Sequence, residues 1–178
     1  LNFKSMIKTT SENEYSKLEP WIQWYSFYSA KSYKDHQVFH LGDSKNIKDI
    51  HFMLQKEVVD RIVANPGTKI YGRLSIMTQV YFMVKKLFDI SPNVFIPKPK
   101  VESGYIRLIP RNYAFKDILH EKKFKDLVTM VFTARRKMIK TSLRGIIHDD
   151  LLNKLSINPS ARPETLTVQN YLDISKNV

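Results

Sequence analysis

Ile50-His51-Phe52-Met53-Leu54-Gln55-Lys56-Glu57-Val58-Val59-Asp60-Arg61-Ile62-Val63 is the stretch on which the fold turns. Its first five residues are a compact apolar run, suited to a strand buried on both faces. Val58, Val59, Ile62 and Val63 then recur at helical spacing. A strand that passes directly into a helix is the unit of an α/β sheet. Asn65-Pro66-Gly67 ends the helix, because proline does not continue it and glycine tolerates the turn.

Downstream the alternation persists. A second helix is expected over Arg73 to Met83, with Leu74, Met77 and Tyr81 on one face, and a strand over Val84 to Ile90. Phe95-Ile96-Pro97-Lys98-Pro99-Lys100 is an extended loop, since each proline lacks an amide hydrogen and pushes its predecessor out of the helical region. The loop feeds a strand over Val101 to Ile109, closed by Pro110. After Pro110 the pattern turns helical. Phe124, Leu127, Val128 and Val131 form an apolar stripe that Met138, Ile139 and Leu143 roughly continue. Arg136, Lys140 and Arg144 fall on the opposite face at steps of four. Arg135 conflicts with a continuous helix. Either the helix breaks near Thr133, or Arg135 is partly buried and paired with an acid. A last short helix is expected after Pro163, with Leu166, Val168, Tyr171, Leu172 and Ile174 as its apolar set.

Upstream, residues 1–48 are atypical. Trp21, Trp24, Tyr25, Phe27, Tyr28 and Tyr33 crowd together with neither strand nor helix period. Such a cluster can stack on bases or fill a core. It fits best a segment out of register with its surroundings. No internal repeat, membrane-length apolar run or secretory signal is visible.

The 178 residues carry a net charge of +12 and no cysteine. Without cysteine, disulfides and thiolate zinc sites are excluded, and a cytoplasmic location is expected. His36 and His40 are four apart but have no acid between them, so no metal site is expected. The charge is concentrated. From Lys98 to Arg144 there are 13 basic and 4 acidic residues. A basic stretch of this kind attracts phosphate backbones through counterion release. A solvated basic face on a lysine-rich protein accounts for the charge equally well.

Five ordered blocks carry a resemblance. They are His51 to Ala64; Tyr71-Gly72-Arg73-Leu74-Ser75; Phe95-Ile96-Pro97-Lys98-Pro99-Lys100-Val101-Glu102-Ser103; Arg135-Arg136-Lys137 with Leu143 after it; and Arg162-Pro163-Glu164-Thr165-Leu166-Thr167-Val168. Together they resemble the bacterial small-subunit ribosomal RNA adenine dimethyltransferases over about residues 50–178, and weakly over 39–41. The resemblance implies an α/β fold: a truncated Rossmann-like methyltransferase sheet in residues 1–110, followed by a small all-helical C-terminal domain in 111–178. It also implies S-adenosylmethionine as co-substrate, small-subunit rRNA as partner, and two adjacent adenines as targets. A monomer that is not membrane-bound is expected.

The adenine amino nitrogen is a poor nucleophile, so such an enzyme must extract the base and localise its lone pair. The family does so with an Asn-Leu-Pro-Tyr-type motif. If Phe39-His40-Leu41 aligns with the family's Phe-His-Leu, that motif falls on Tyr28-Ser29-Ala30-Lys31, which do not match it. The family holds its donor with a glycine-rich turn. Here the glycines, Gly42, Gly67, Gly72, Gly104 and Gly145, are scattered. Residues 19–38 therefore read as a shifted frame or a degraded stretch, with the first three strands absent.

Three readings follow: a dimethyltransferase or its remnant, a non-catalytic rRNA-binding module, or a poorly folded truncated product. The candidate phosphate contacts are Lys98, Lys100, Arg135, Arg136, Lys137, Lys140 and Arg144, each of which is equally compatible with an ordinary surface charge. Gln55, Lys56 and Glu57 follow a strand end, where α/β sites sit, but helix N-terminal charges are common and they are not assigned to catalysis. Calorimetric titration with S-adenosylmethionine is expected to give no binding heat. Micromolar binding would overturn the reading of the N-terminal stretch.

Overall fold

The computed structural model describes residues 48–111 and 115–178. The strands are β1 (Ile50–Gln55), β2 (Phe82–Ile90) and β3 (Ser103–Pro110). They form one sheet in the order β1-β3-β2, antiparallel throughout. The last strand thus lies between the two that precede it. On β3, Gly104, Ile106 and Leu108 are buried and alternate with half-buried Tyr105, Arg107 and Ile109, the two-residue period of a sheet with one covered face. Opposite them stand Leu54, Phe52 and Ile50 of β1.

Helix α1 (Lys56–Ile62) follows β1 without a loop and lays Val59 and Ile62 on this face. Gly104 is where it comes closest: a Cβ there would stand 3.0 Å from Val59 Cγ2. Gly67 has a positive φ of 88°, as the turn after α1 requires. Helix α2 (Arg73–Gln79) is bound to the end of α1 by side chains. Ser75 Oγ donates to Arg61 O at 2.5 Å, and Gln79 Nε2 donates to Ile62 O at 2.8 Å and Ala64 O at 2.9 Å. The carbonyls that a helix C-terminus leaves unpaired are satisfied in this way.

Several expected boundaries move. β1 is covered on one face only, and Met53 on its other face is 45 % exposed. Met83, Phe88 and Tyr105 share that outer face, and the Phe88 and Tyr105 rings stack with centroids 5.0 Å apart. The second helix stops at Gln79 rather than Met83, because Phe82 and Met83 pair with Pro110 and Ile109. Tertiary pairing outweighs helical periodicity there. Ser75, Ile76, Met77 and Thr78 form its buried set, and Leu74 is only half buried.

Helix α3 (Ile118–Thr133) buries Phe124, Leu127, Val128 and Val131 as expected. Asp117 caps its start by accepting from His120 N at 2.7 Å, and α3 ends at Thr133. The apolar stripe does not continue along it, because Ile139 N and Lys140 N donate to Ala161 O and Pro159 O. That pairing draws the segment onto a later loop. Only the short α4 (Ile139–Ser142) forms, so Arg136, Lys140 and Arg144 do not line one helix face. Helix α5 (Asp149–Lys154) carries no strong sequence period.

Pro163–Thr165 is a 3-10 turn, and the last helix, α6 (Val168–Ser175), starts after it behind a Thr167–Asn170 capping box. His120 joins α3 to α6. Its Nδ1 accepts from Lys116 N at 3.2 Å, so Nε2 carries the proton and donates to Ser175 Oγ at 3.0 Å. Lys48–Val178 is one compact unit, within which strand gives way to helix after Pro110.

The Val59–Gly104 approach yields a test. Gly104→Val is expected to destabilise the fold by about 1–3 kcal/mol, the usual cost of overpacking. Val59→Ala in the same chain should recover part of this loss. Urea midpoints of the four proteins check it, and strictly additive losses would contradict the packing described.

Candidate nucleic-acid interface

The seven candidate contacts fall into two groups. Lys98 and Lys100 are exposed on the 91–102 connection, which joins the Ile90 end of β2 to the Ser103 end of β3. Arg135, Arg136, Lys137, Lys140 and Arg144 belong to the segment that follows α3, and the chain reaches α3 from the Pro110 end of β3. With 8 residues, β3 separates its two ends by roughly 25 Å.

Around the first group, five charges are linked in a chain. Lys56 Nζ donates to Glu102 Oε2 at 2.6 Å and lies 3.7 Å from Asp89 Oδ2. Lys86 Nζ reaches Asp89 Oδ1 at 2.6 Å and Asp60 Oδ1 at 2.7 Å. Residues three apart on a regular strand point to opposite faces. Lys86 and Asp89 meet only because β2 bulges: Lys86 pairs with Ile106 and Phe88 with Tyr105, which leaves Leu87 as the extra residue. The bulge brings Asp89 to the side of the sheet that α1 covers.

The chain of charges secures the foot of the 91–102 connection, and three of its members, Lys56, Asp60 and Glu102, line a shallow cleft of about 460 Å³ with Gln55, Glu57 and Val101. Hydrogen bonding to Glu102 pushes the Lys56 ammonium up, and hydrogen bonding to Asp60 and Asp89 does the same for Lys86. The hydrogen bond from Lys86 holds the Asp89 carboxyl below its usual range. The charges are committed to one another.

The second group is assembled from three segments. Arg135 Nη2 donates to Lys69 O at 2.6 Å, and Gly67 N donates to Glu164 O at 2.7 Å. With the Ile139–Ala161 and Lys140–Pro159 bonds, these place the turn after α3 against residues 67–69 and 159–164. Arg136, Lys137, Lys69 and Arg162 are all exposed there. Lys69 and Arg162 are absent from the candidates drawn from the sequence. They are distant in the chain, and long-range hydrogen bonds to backbone groups bring their segments together. Arg135 is half buried, with Nε 3.8 Å from Glu164 Oε2. Both alternatives raised by its position in the sequence hold: the helix breaks, and the arginine pairs with an acid.

Tyr28, Ser29, Ala30 and Lys31 lie outside the described residues, as does the aromatic stretch around them. Among the described residues, no glycine-rich turn leads into a helix, and no group of three or more His, Asp or Glu side chains could hold a metal ion. The four described glycines are isolated from one another. The described residues thus do not fit the methyl donor. No described helix is long and apolar enough to cross a membrane.

The sequence model of the family described as "Ribosomal RNA adenine dimethylase" matches residues 25–178. The chain belongs to this family. The rRNA adenine dimethylase match begins inside the 19–38 stretch that reads as frame-shifted or degraded, so family pattern extends further upstream than the five blocks. The chain is 49% identical over 143 residues to the Ribosomal RNA small subunit methyltransferase A of Acinetobacter baylyi, covering 78% of this chain and 51% of that protein. It is 45% identical over 130 residues to the protein of the same name from Legionella pneumophila strain Corby, covering 73% of this chain and 51% of the relative. The chain therefore spans about half the length of these relatives.

Among solved structures, it resembles a dimethyladenosine transferase from Plasmodium falciparum with a TM-score of 0.64 at 20% identity, over 88% of this chain and 62% of that one. It resembles the 23S rRNA methyltransferase ErmE with a TM-score of 0.55 at 20% identity, over 75% and 56%. These likenesses support the mixed α/β, Rossmann-like fold class.

The ion-pair chain predicts an acid limb. A carboxyl depressed from its ordinary 3.8 contributes stability that is present above that value and lost as pH falls through the folded one. The raised lysines contribute below their ordinary 10.5 and lose that contribution as pH rises through the folded value. Asp89→Asn is expected to flatten the fall in urea midpoint below about pH 4 relative to the unmodified chain. An identical acid limb in both proteins would show that Asp89 is not held by Lys86.

Proposed function

We propose that this chain is the rRNA-docking half of an S-adenosylmethionine-dependent dimethyltransferase acting on two adjacent adenines of small-subunit rRNA. The observation that carries the proposal is the exposed basic surface of Lys69, Arg136, Lys137 and Arg162, drawn from three segments of a chain in this family. Lys98 and Lys100 provide a second contact on the 91–102 connection. The two contacts lie on different parts of the unit, so they suit a folded RNA better than a short single strand.

Phosphate contacts set the register of an RNA on the protein. Docking is therefore the role of the described residues, and methyl transfer requires a donor site that they do not supply. The protein acts as a monomer in the cytoplasm in this reading. Residue 110 then marks the change from the catalytic sheet to the RNA-facing helices.

The test is binding of a small-subunit rRNA fragment containing the paired adenines, titrated across added salt. Affinity should fall linearly on a log–log plot. Arg136→Ala and Lys137→Ala should each lower the magnitude of that slope by about 0.7–0.9, the share of one phosphate contact. Salt-independent binding, or slopes unchanged in both variants, would contradict the proposal.

A further inference from the structure

Arg135 differs from its two basic neighbours. Arg136 and Lys137 are exposed, whereas Arg135 is half buried and its guanidinium donates to Lys69 O at 2.6 Å across 66 positions of sequence. Its Nε lies 3.8 Å from Glu164 Oε2, an oxygen that is buried and has no hydrogen-bond partner among the described residues. The Glu164 backbone carbonyl accepts from Gly67 N. Beneath it, Tyr171 Oη donates to Pro163 O at 2.8 Å. Arg135 thus holds the 67–69 loop through its side chain and Glu164 holds it through its backbone carbonyl, and the two side chains face each other.

We infer that the Arg135–Glu164 pair is a latch that positions the basic surface, and that Arg135 is a positioning residue rather than a phosphate contact. The inference rests on the RNA-docking reading above. Lys69, Arg136, Lys137 and Arg162 sit on three loops joined by only a few backbone bonds, and the Arg135 side chain adds a direct tie from the turn after α3 to the 67–69 loop. Each independent loop would have to be ordered when RNA binds, and a surface fixed beforehand avoids that loss. An arginine suits the task because its planar fork donates to a carbonyl through one nitrogen while another stands 3.8 Å from a carboxylate, an arrangement the point charge of a lysine does not reproduce.

The latch and simple charge predict opposite signs for one substitution. Glu164→Gln removes a negative charge from the middle of a basic surface. By Coulomb attraction alone, RNA should bind more tightly. By the latch, it should bind more weakly, because the carboxylate no longer holds Arg135.

The experiment measures fluorescence anisotropy of the labelled rRNA fragment with the full chain, well below its unfolding temperature. The proteins are the unmodified chain, E164Q, R135M, R135K and the R135M/E164Q double variant. Weakening of about three- to tenfold is expected for each single variant, with the double variant no weaker than R135M, as for two residues acting through one contact. R135K should weaken binding as R135M does, although it keeps the charge. The salt slope of R135M should match the unmodified chain, while R136A lowers it.

Tighter binding by E164Q, or a slope lowered by R135M as much as by R136A, would overturn the inference. If the unmodified chain binds no RNA, the docking reading fails. The urea midpoints of the same proteins then decide the latch by themselves: coupled losses for Arg135 and Glu164 uphold it, and additive losses reject it.

Discussion

The close approach of α1 to β3 at Gly104 is the constraint on which the rest of the unit depends. Any side chain there would push Val59 away from the central strand. With α1 seated, the loop after it is fixed, and α2 can satisfy the carbonyls at its end through Ser75 and Gln79. The same seating brings Asp60 to Lys86 and Lys56 to Glu102. It also delivers the 65–71 loop to the place where Arg135 and Glu164 meet it. One missing side chain on the middle strand therefore sets the position of both candidate contact regions.

Much of this was legible in the residues themselves. The Ile50–Val63 stretch shows its strand and helix because an apolar run and a helical period abut without a break. Phe124, Leu127, Val128 and Val131 announce α3 for the same reason. The errors lie where long-range pairing decides. Nothing local says that Phe82 belongs to a strand, since its partner is Pro110. The end of α3 was flagged only by Arg135, a charge in an apolar stripe. The bonds that end the stripe come from residues 159 and 161. Lys69 and Arg162 were invisible as candidates for a like reason: their neighbourhood is made by long-range bonds to backbone oxygens, which leave no mark in side-chain patterning.

A run of basic residues in a sequence invites a single interpretation, and the fold divides this one. Some of the charges face solvent and stay available to a polyanion. Others, such as Arg107, Lys125 and Arg135, are engaged with carboxylates or backbone oxygens. Net charge thus overstates how much of the surface can meet phosphate, and the exposed fraction of the basic set is the more useful quantity. The resemblance to dimethyltransferases and the architecture agree, because the blocks that carry the resemblance are also the segments that touch one another in space.

The bulge at Leu87 has a consequence for sequence comparison. It divides β2 into two halves of opposite parity: even-numbered positions face α1 up to Lys86, and odd-numbered ones do so at Asp89. An alignment that treats the strand as nine alternating positions would assign the wrong face to each of its last residues. It would count Phe88 as core and Asp89 as solvent-facing. A relative with one residue fewer here would lose only the bulge, with Phe88 still outward and Asp89 still beside Lys86. A relative of the same length without the bulge would have exchanged an ion pair for a buried aromatic ring, and its hydrophobic pattern alone would look no different from this one.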